Sequence, residues 1–324
     1  MDAVLTVEDL HTHFISKRAV VKVVNGVDFA LERHTVLALV GESGAGKTMT
    51  ARSIMGLLPP MGRVVKGRVL LEGTDLLELG EQELQRLRGR EISMIFQDPR
   101  GALDPVLPIH TQVEEAILAH RDISKKEARG IALELLSEMD MPDPQRILES
   151  FPFQLSGGMC QRVALAIAVA LKPKVVIADE PTSDLDATIQ AQVLARLRHW
   201  MDESHTSILF ITHDLGIVAH LADQVVVLYT GCVAERTGVR TLFERPLHPY
   251  TWGLLQAFAA LNAHGRRIPL LREGPATPYG LLDHCPFLPR CPKAMNECRR
   301  KGTPPLVEME PQHWVACYNT MRYD

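Results

Sequence analysis

The segment Gly41-Glu42-Ser43-Gly44-Ala45-Gly46-Lys47-Thr48 fits the spacing G-x-x-x-x-G-K-[ST], in which phosphate chemistry dictates the residue types. Glycines at 44 and 46 let backbone N–H groups turn inward around phosphate oxygens. Lys47 brings a cation to the β and γ phosphates, and Thr48 is placed to ligate Mg²⁺. A second segment, Lys174 to Glu180, is an apolar run ending in two acids. Asp179 then stands at the strand's C-terminal edge, where α/β sheets take ligands, suited to hold Mg²⁺ through water, with Glu180 facing the attacking water. A carboxylate in that position could also simply cap the next helix, and the phosphate loop upstream decides for the catalytic reading. Leu155-Ser156-Gly157-Gly158-Met159 precedes an apolar helical stretch, so a second glycine-rich turn offers amides to an anion.

The elements that must position these groups read as alternating strands and helices. Val4 to Phe14 alternates like a strand, and Thr35 to Val40 is a short apolar run that stops at glycine, as a buried parallel strand does. Val175 to Ala178 and Ser207 to Thr212 are similar runs, flanked by helical patterns such as Ala187 to Met201. The framework is therefore α/β with a largely parallel sheet. Between about residues 98 and 160 the texture is helical, with helices expected over Thr111 to His120 and Ser124 to Met139. Ser124 and Glu127 have the spacing of a capping box. From about residue 241 onward, frequent prolines predict a small irregular appendage without long regular elements.

Composition narrows the classes. With 46% hydrophobic and 23% charged residues in a chain of 324, disorder is excluded and a sizeable core is expected. The net charge of −4 supplies no basic field for nucleic acid or anionic lipid as the principal partner. The longest apolar run, Val163 to Leu171, is far short of the roughly 20 residues needed to span a bilayer as a helix. The start Met1-Asp2-Ala3-Val4 lacks the pattern of a secretory signal, which points to the cytoplasm.

The ordered motifs resemble those of the nucleotide-binding subunits of ATP-binding cassette (ABC) transporters, whose signature is LSGGQ. Met159 stands here in place of the glutamine, which keeps the serine and glycines, and LSGGM resembles the variant of peptide-importer ATPases. Gln97, in Ile95-Phe96-Gln97-Asp98-Pro99, matches the Q-loop; Pro181 to Asp186 matches the D-loop, with Asp184 where alanine is usual; His213, in Ile211-Thr212-His213-Asp214, matches the H-loop. The resemblance implies a P-loop NTPase of the ABC type with a helical subdomain insertion. In such a motor each ATP lies between Lys47 and its loop on one subunit and Ser156, Gly157 and Gly158 on the facing one. Glu180 acts as base or water-orienting carboxylate, His213 bridges to the γ-phosphate, and Gln97 senses Mg²⁺, held with Thr48 and Asp179. Phe14 is the candidate aromatic for stacking on adenine, against plain core packing.

Leu247-His248-Pro249-Tyr250-Thr251 resembles the HPYT element of oligopeptide and dipeptide importer ATPases, shared with nickel-importer relatives. The implied division is a nucleotide-binding domain over 1–240 and an extension over 241–324. That extension carries Cys285, Cys291, Cys298 and Cys317 in the spacing C-x₅-C-x₆-C-x₁₈-C, which in a reducing compartment favours a metal or cluster over disulfides. The spacing itself does not choose among a [4Fe–4S] cluster, a structural zinc and free thiols. Resemblance to cysteine-bearing peptide-importer ATPases favours the cluster, as a structural staple. The expected function is ATP hydrolysis driving uptake of oligopeptides or dipeptides. The alternatives are import of nickel or another small solute, or a soluble ABC ATPase outside transport. Expected partners are a homologous second ATPase subunit, two membrane permeases and an extracytoplasmic solute-binding protein, and no nucleic acid. The chain itself would sit peripherally on the cytoplasmic face of the membrane.

Overall fold

The apolar run expected to end at the phosphate loop is the strand Val36–Val40, every residue of which is buried. A computed structural model describes residues 2–183, 187–262 and 283–323. It divides into two units. One comprises Leu5–Leu31, Val36–Leu77 and Phe210–Asp324; the other is mainly Glu78–Leu209, joined by Glu32–Thr35 and the residues up to Val4.

In the first unit, Val36–Val40 pairs in parallel with Gln224–Tyr229, with Leu39 opposite Val226. Both strands are almost wholly apolar, VLALV and QVVVLY, as strands covered on both faces are. Gln224–Tyr229 turns back antiparallel onto Cys232–Gly238, which in turn pairs with His313–Val315 and, through it, Val307–Glu310. The extension thus adds two strands to the sheet edge that Cys232–Gly238 would otherwise leave open. A separate four-stranded antiparallel sheet contains Ala3–Ile15, Val20–Glu32, Gly62–Leu71 and Thr74–Asp75. Its buried residues Leu5, Val7 and Leu10 alternate with more open ones, as expected of a sheet with one covered face.

The second unit pairs Ile92–Ile95 in parallel with Val175–Asp179, Ile95 opposite Ala178. Its helices include Ile109–Leu118, Lys125–Glu138, Pro144–Glu149 and Gly157–Val169. The capping box forms as the spacing requires. The Glu127 amide donates to Ser124 Oγ at 3.2 Å, and the Ser124 amide donates to Glu127 Oε2 at 2.8 Å. Ala128, Ala132 and Leu135 line the buried stripe of that helix.

One expectation fails. The proline-rich region beyond residue 241 contains a regular 14-residue helix, Pro249–Asn262. Pro249 is its first residue, where a missing N–H costs nothing and the fixed φ favours the turn.

Candidate functional site

The phosphate loop leaves Val36–Val40 and runs into the helix Lys47–Ile54. Gly46 has φ +102, and a Cβ there would stand 2.7 Å from the Val23 carbonyl oxygen, so only glycine fits. The next strand-connecting turn closes against the same loop, the Gly231 amide donating to the Ala45 carbonyl at 2.9 Å. Lys47 is buried, and its Nζ donates to the carbonyls of Gly41 at 2.8 Å and Glu42 at 3.1 Å. The ammonium is therefore already folded across the loop, with carbonyl partners that a triphosphate's oxygens would replace. Phe14 lies half-buried at the end of Ala3–Ile15, opposite Gly62. His213 is exposed directly after Ser207–Thr212. Asp214, which follows it, caps the next helix by accepting from the Gly216 amide at 2.7 Å.

The second unit holds the groups expected to act on water. Asp179 ends its strand almost fully buried. Glu180 follows with φ +46, a left-handed conformation that a non-glycine residue adopts at a cost. Gln97 is exposed, and its Nε2 donates to Glu180 Oε2 at 3.4 Å, so two of the predicted catalytic groups meet. Ser156 caps Gly157–Val169, its Oγ accepting from the Met159 amide at 3.3 Å. Among the described residues, nothing beyond its own helix lies within 4 Å of where a Gly157 Cβ would be. Arg100, three residues beyond Gln97, donates to the Leu155 carbonyl at 3.3 Å and ties the Q-loop segment to the signature turn. Sequence reasoning gave Arg100 no role. Of the D-loop, Asp184, Leu185 and Asp186 lie outside the described residues.

The HPYT element is organised by a group that the sequence did not single out. Glu235 is fully buried on Cys232–Gly238. It accepts from the amides of Leu247 at 2.6 Å and His248 at 2.9 Å, and pairs with His313 Nε2 at 2.7 Å. His248 Nδ1 accepts from the Tyr250 amide at 3.0 Å, which requires a lone pair on that nitrogen. Burial pushes the imidazole pKa down to about 4, against a smaller opposing pull from Glu235, so the ring is neutral. Tyr250 is buried, and its hydroxyl oxygen accepts from the Glu42 amide at 3.0 Å, so the element reaches the phosphate loop itself.

Cys285, Cys291 and Cys298 are buried and Cys317 is partly so. The Cys317 thiol is raised to about 12, chiefly by burial, with the Asn319 amide working against the rise and Cys291, Cys285 and Cys298 adding to it. Cys285 is raised to about 11 by burial, with Cys298 and Cys291 adding to the rise and backbone amides of Phe287 and Leu288 working against it. The Cys285 amide donates to the Cys298 carbonyl at 2.8 Å, which ties those two segments together. Among the described residues, however, no three His, Cys, Asp or Glu side chains converge closely enough to hold a metal ion. No helix among those residues is long and apolar enough to cross a membrane.

Comparison with known proteins gives the family. Residues 24–183 match the family description "ABC transporter", and residues 234–298 match "Oligopeptide/dipeptide transporter, C-terminal region". The oligopeptide transport ATP-binding protein AppD of Bacillus subtilis is 43% identical over 98% of this chain and 97% of its own. The oligopeptide transport ATP-binding protein OppD of Escherichia coli is 41% identical over 98% and 93%. Among solved structures, the ATP-binding cassette MJ0796, a dimer bound to ADP and Pi in a post-hydrolysis state, superposes with a TM-score of 0.65. It is 26% identical and covers 73% of this chain and 99% of its own. The chain belongs to the ABC ATPases, enzymes that use ATP with Mg²⁺, and within them to the oligopeptide/dipeptide transport ATP-binding proteins.

Proposed function

We propose that this chain is the ATP-hydrolysing motor of an importer for oligopeptides or dipeptides, acting through separate membrane permeases from the cytoplasmic face. The observation that carries the catalytic part is the contact between Gln97 and Glu180 at the end of a buried strand. A carboxylate that must orient water needs a partner that fixes its direction, and the Gln97 amide supplies one. Glu180 is assigned as the base or water-orienting group, and His213 as the contact to the γ-phosphate. Thr48, Gln97 and Asp179 are assigned to Mg²⁺, the cation that offsets charge developing on the transferred phosphoryl group. Residues 41–48 hold the triphosphate and Phe14 faces adenine. Ser156, Gly157 and Gly158 serve the ATP of the facing subunit, so neither half-site is complete alone. That facing subunit is a homologous second ATPase.

The division at residue 240 into a nucleotide-binding domain and an extension is retained as a functional one, with residues 98–160 as the subdomain that docks the permeases. Val106 and Phe153 in that segment are 75% and 72% exposed, apolar surface suited to a partner. For the four cysteines we retain the [4Fe–4S] assignment. What supports it is the donor chemistry, four cysteines confined to the extension, with the Cys285 amide donating to the Cys298 carbonyl at 2.8 Å; each thiol would give up its proton on binding. A single zinc at about 2.3 Å from each sulfur needs them drawn tightly together, whereas a cluster spreads its ligands apart. Absorbance at about 400 nm in anaerobically purified protein supports the cluster, and a colourless zinc-loaded preparation removes it.

The deciding experiment reconstitutes the chain with its permeases and companion ATPase in vesicles and follows labelled oligopeptide uptake and phosphate release. Glu180→Gln is expected to bind ATP as before while losing most turnover and uptake. Unchanged turnover refutes the role of Glu180. Uptake of nickel but not peptide refutes the cargo while leaving the motor in place.

A further inference from the structure

We propose that Arg290 and Tyr250, both in the C-terminal extension, are positioning residues for the phosphate loop. They hold Glu42 neutralised and oriented so that the loop accepts a triphosphate.

Glu42, the second residue of the loop, is engaged at three points. Its amide donates to Tyr250 Oη at 3.0 Å, and its carbonyl accepts from Lys47 Nζ at 3.1 Å. Its carboxylate takes a two-pronged pair from Arg290, Nη1 to Oε2 at 2.8 Å and Nη2 to Oε1 at 2.9 Å. Two parallel bonds fix direction as well as distance, which a lysine could not do. The need for neutralisation follows from charge. A carboxylate beside the residues that receive a polyanion repels it unless a cation is held against it. Arg290 is well placed for that duty, since its side chain is only 14% exposed and less screened than a surface partner.

Both groups are held by one aromatic cluster. Tyr250 packs on Tyr229 with ring centroids 4.7 Å apart, Phe287 meets Tyr229 at 5.2 Å, and the Arg290 guanidinium lies 5.9 Å from the Tyr229 ring centre. Phe287 and Arg290 sit on the short turn between Cys285 and Cys291. That turn is closed by the Leu288 amide donating to the Cys285 carbonyl at 3.0 Å and the Arg290 amide donating to the Phe287 carbonyl at 3.1 Å. The reach of Arg290 therefore depends on how firmly the two cysteines anchor their turn. The inference rests on the phosphate-loop assignment and on no group bound by the thiols.

The test measures KM and kcat for ATP in the assembled transporter. Arg290→Met is expected to raise KM by about fivefold to tenfold, the scale of one partly screened charge acting on a multiply charged ligand, with kcat within twofold. Arg290→Lys recovers part of the loss. In a Glu42→Gln background the same Arg290→Met change alters KM by less than twofold, because no charge is left to neutralise. A purely structural arginine would weaken both backgrounds alike, and that result overturns the proposal, as does an unchanged KM in Arg290→Met. Should Arg290→Met fail to assemble, Tyr250→Phe serves. Faster hydrogen exchange of the phosphate-loop amides supports the proposal, and unchanged exchange overturns it. Lys47→Ala, assayed alongside, tests the phosphate-loop assignment alone, so a failure there is distinguishable.

Discussion

Replacing Glu235 by alanine removes the group on which the start of the extension is built. The carboxylate is fully buried and receives three donors, the Leu247 and His248 amides and His313 Nε2. Hydrogen bonds to a charged group contribute about 1.5 to 3 kcal/mol each, so the gross loss is roughly 5 to 9 kcal/mol. Against this stands the cost of keeping a carboxylate out of water, several kcal/mol, which the alanine variant no longer bears. The net expectation is about 3 to 5 kcal/mol of destabilisation, since two amides and an imidazole are left buried without their acceptor. Glu235→Gln keeps an acceptor for only one of the two amides, since Leu247 bonds Oε1 and His248 bonds Oε2, so it should cost about 2 to 3 kcal/mol, still less than alanine. The assay is urea unfolding followed by tryptophan fluorescence, combined with hydrogen exchange over residues 246–250 to localise the loss. A destabilisation below 1 kcal/mol for Glu235→Ala, or equal losses for alanine and glutamine, would refute the reasoning.

Two further outcomes follow from the same geometry. His248 has its pKa lowered to about 4 by burial, so between about pH 6.5 and 4 the unfolded chain binds a proton that the folded chain does not. Stability is complete above that window and falls by about 3 kcal/mol as pH drops through it, and His248→Gln should flatten this slope in melting temperatures measured from pH 4.5 to 7. Gly46→Ala forces a side chain onto φ +102 with its Cβ 2.7 Å from the Val23 carbonyl. It should cost at least about 1 to 3 kcal/mol and abolish tight ATP binding, and calorimetric titration showing wild-type affinity would contradict that.

The nucleotide motifs were legible because phosphate binding by backbone amides demands particular residues at particular places. Gly46 could be read as a glycine that lets the backbone turn inward, and the structure gives it φ +102 and a close approach to the Val23 carbonyl. The capping box at Ser124 and Glu127 was equally local, and its two hydrogen bonds span only three residues. Glu235 was not legible. A glutamate in a strand that reads CVAERTG suggests a solvent-facing position, and its partners at 247, 248 and 313 announce themselves only once the chain has folded. The helix Pro249–Asn262 was hidden by the prolines around it, although Pro249 itself marks a helix start when it is followed by an apolar run.

The Arg290 contact shows why long-range features of a site escape a reading along the chain. Its partner Glu42 lies 248 positions away and occupies a place in the phosphate motif where almost any residue is allowed. The freedom of that position in the general pattern means that the extension can address it without disturbing the glycines and lysine on which phosphate binding depends. Tyr250 obeys the same logic, since it takes up a backbone amide and asks nothing of the side chain it meets. An appendage attached in this way adjusts a motor at its least constrained residue, so its loss should appear first in affinity for ATP and only afterwards in the rate of hydrolysis.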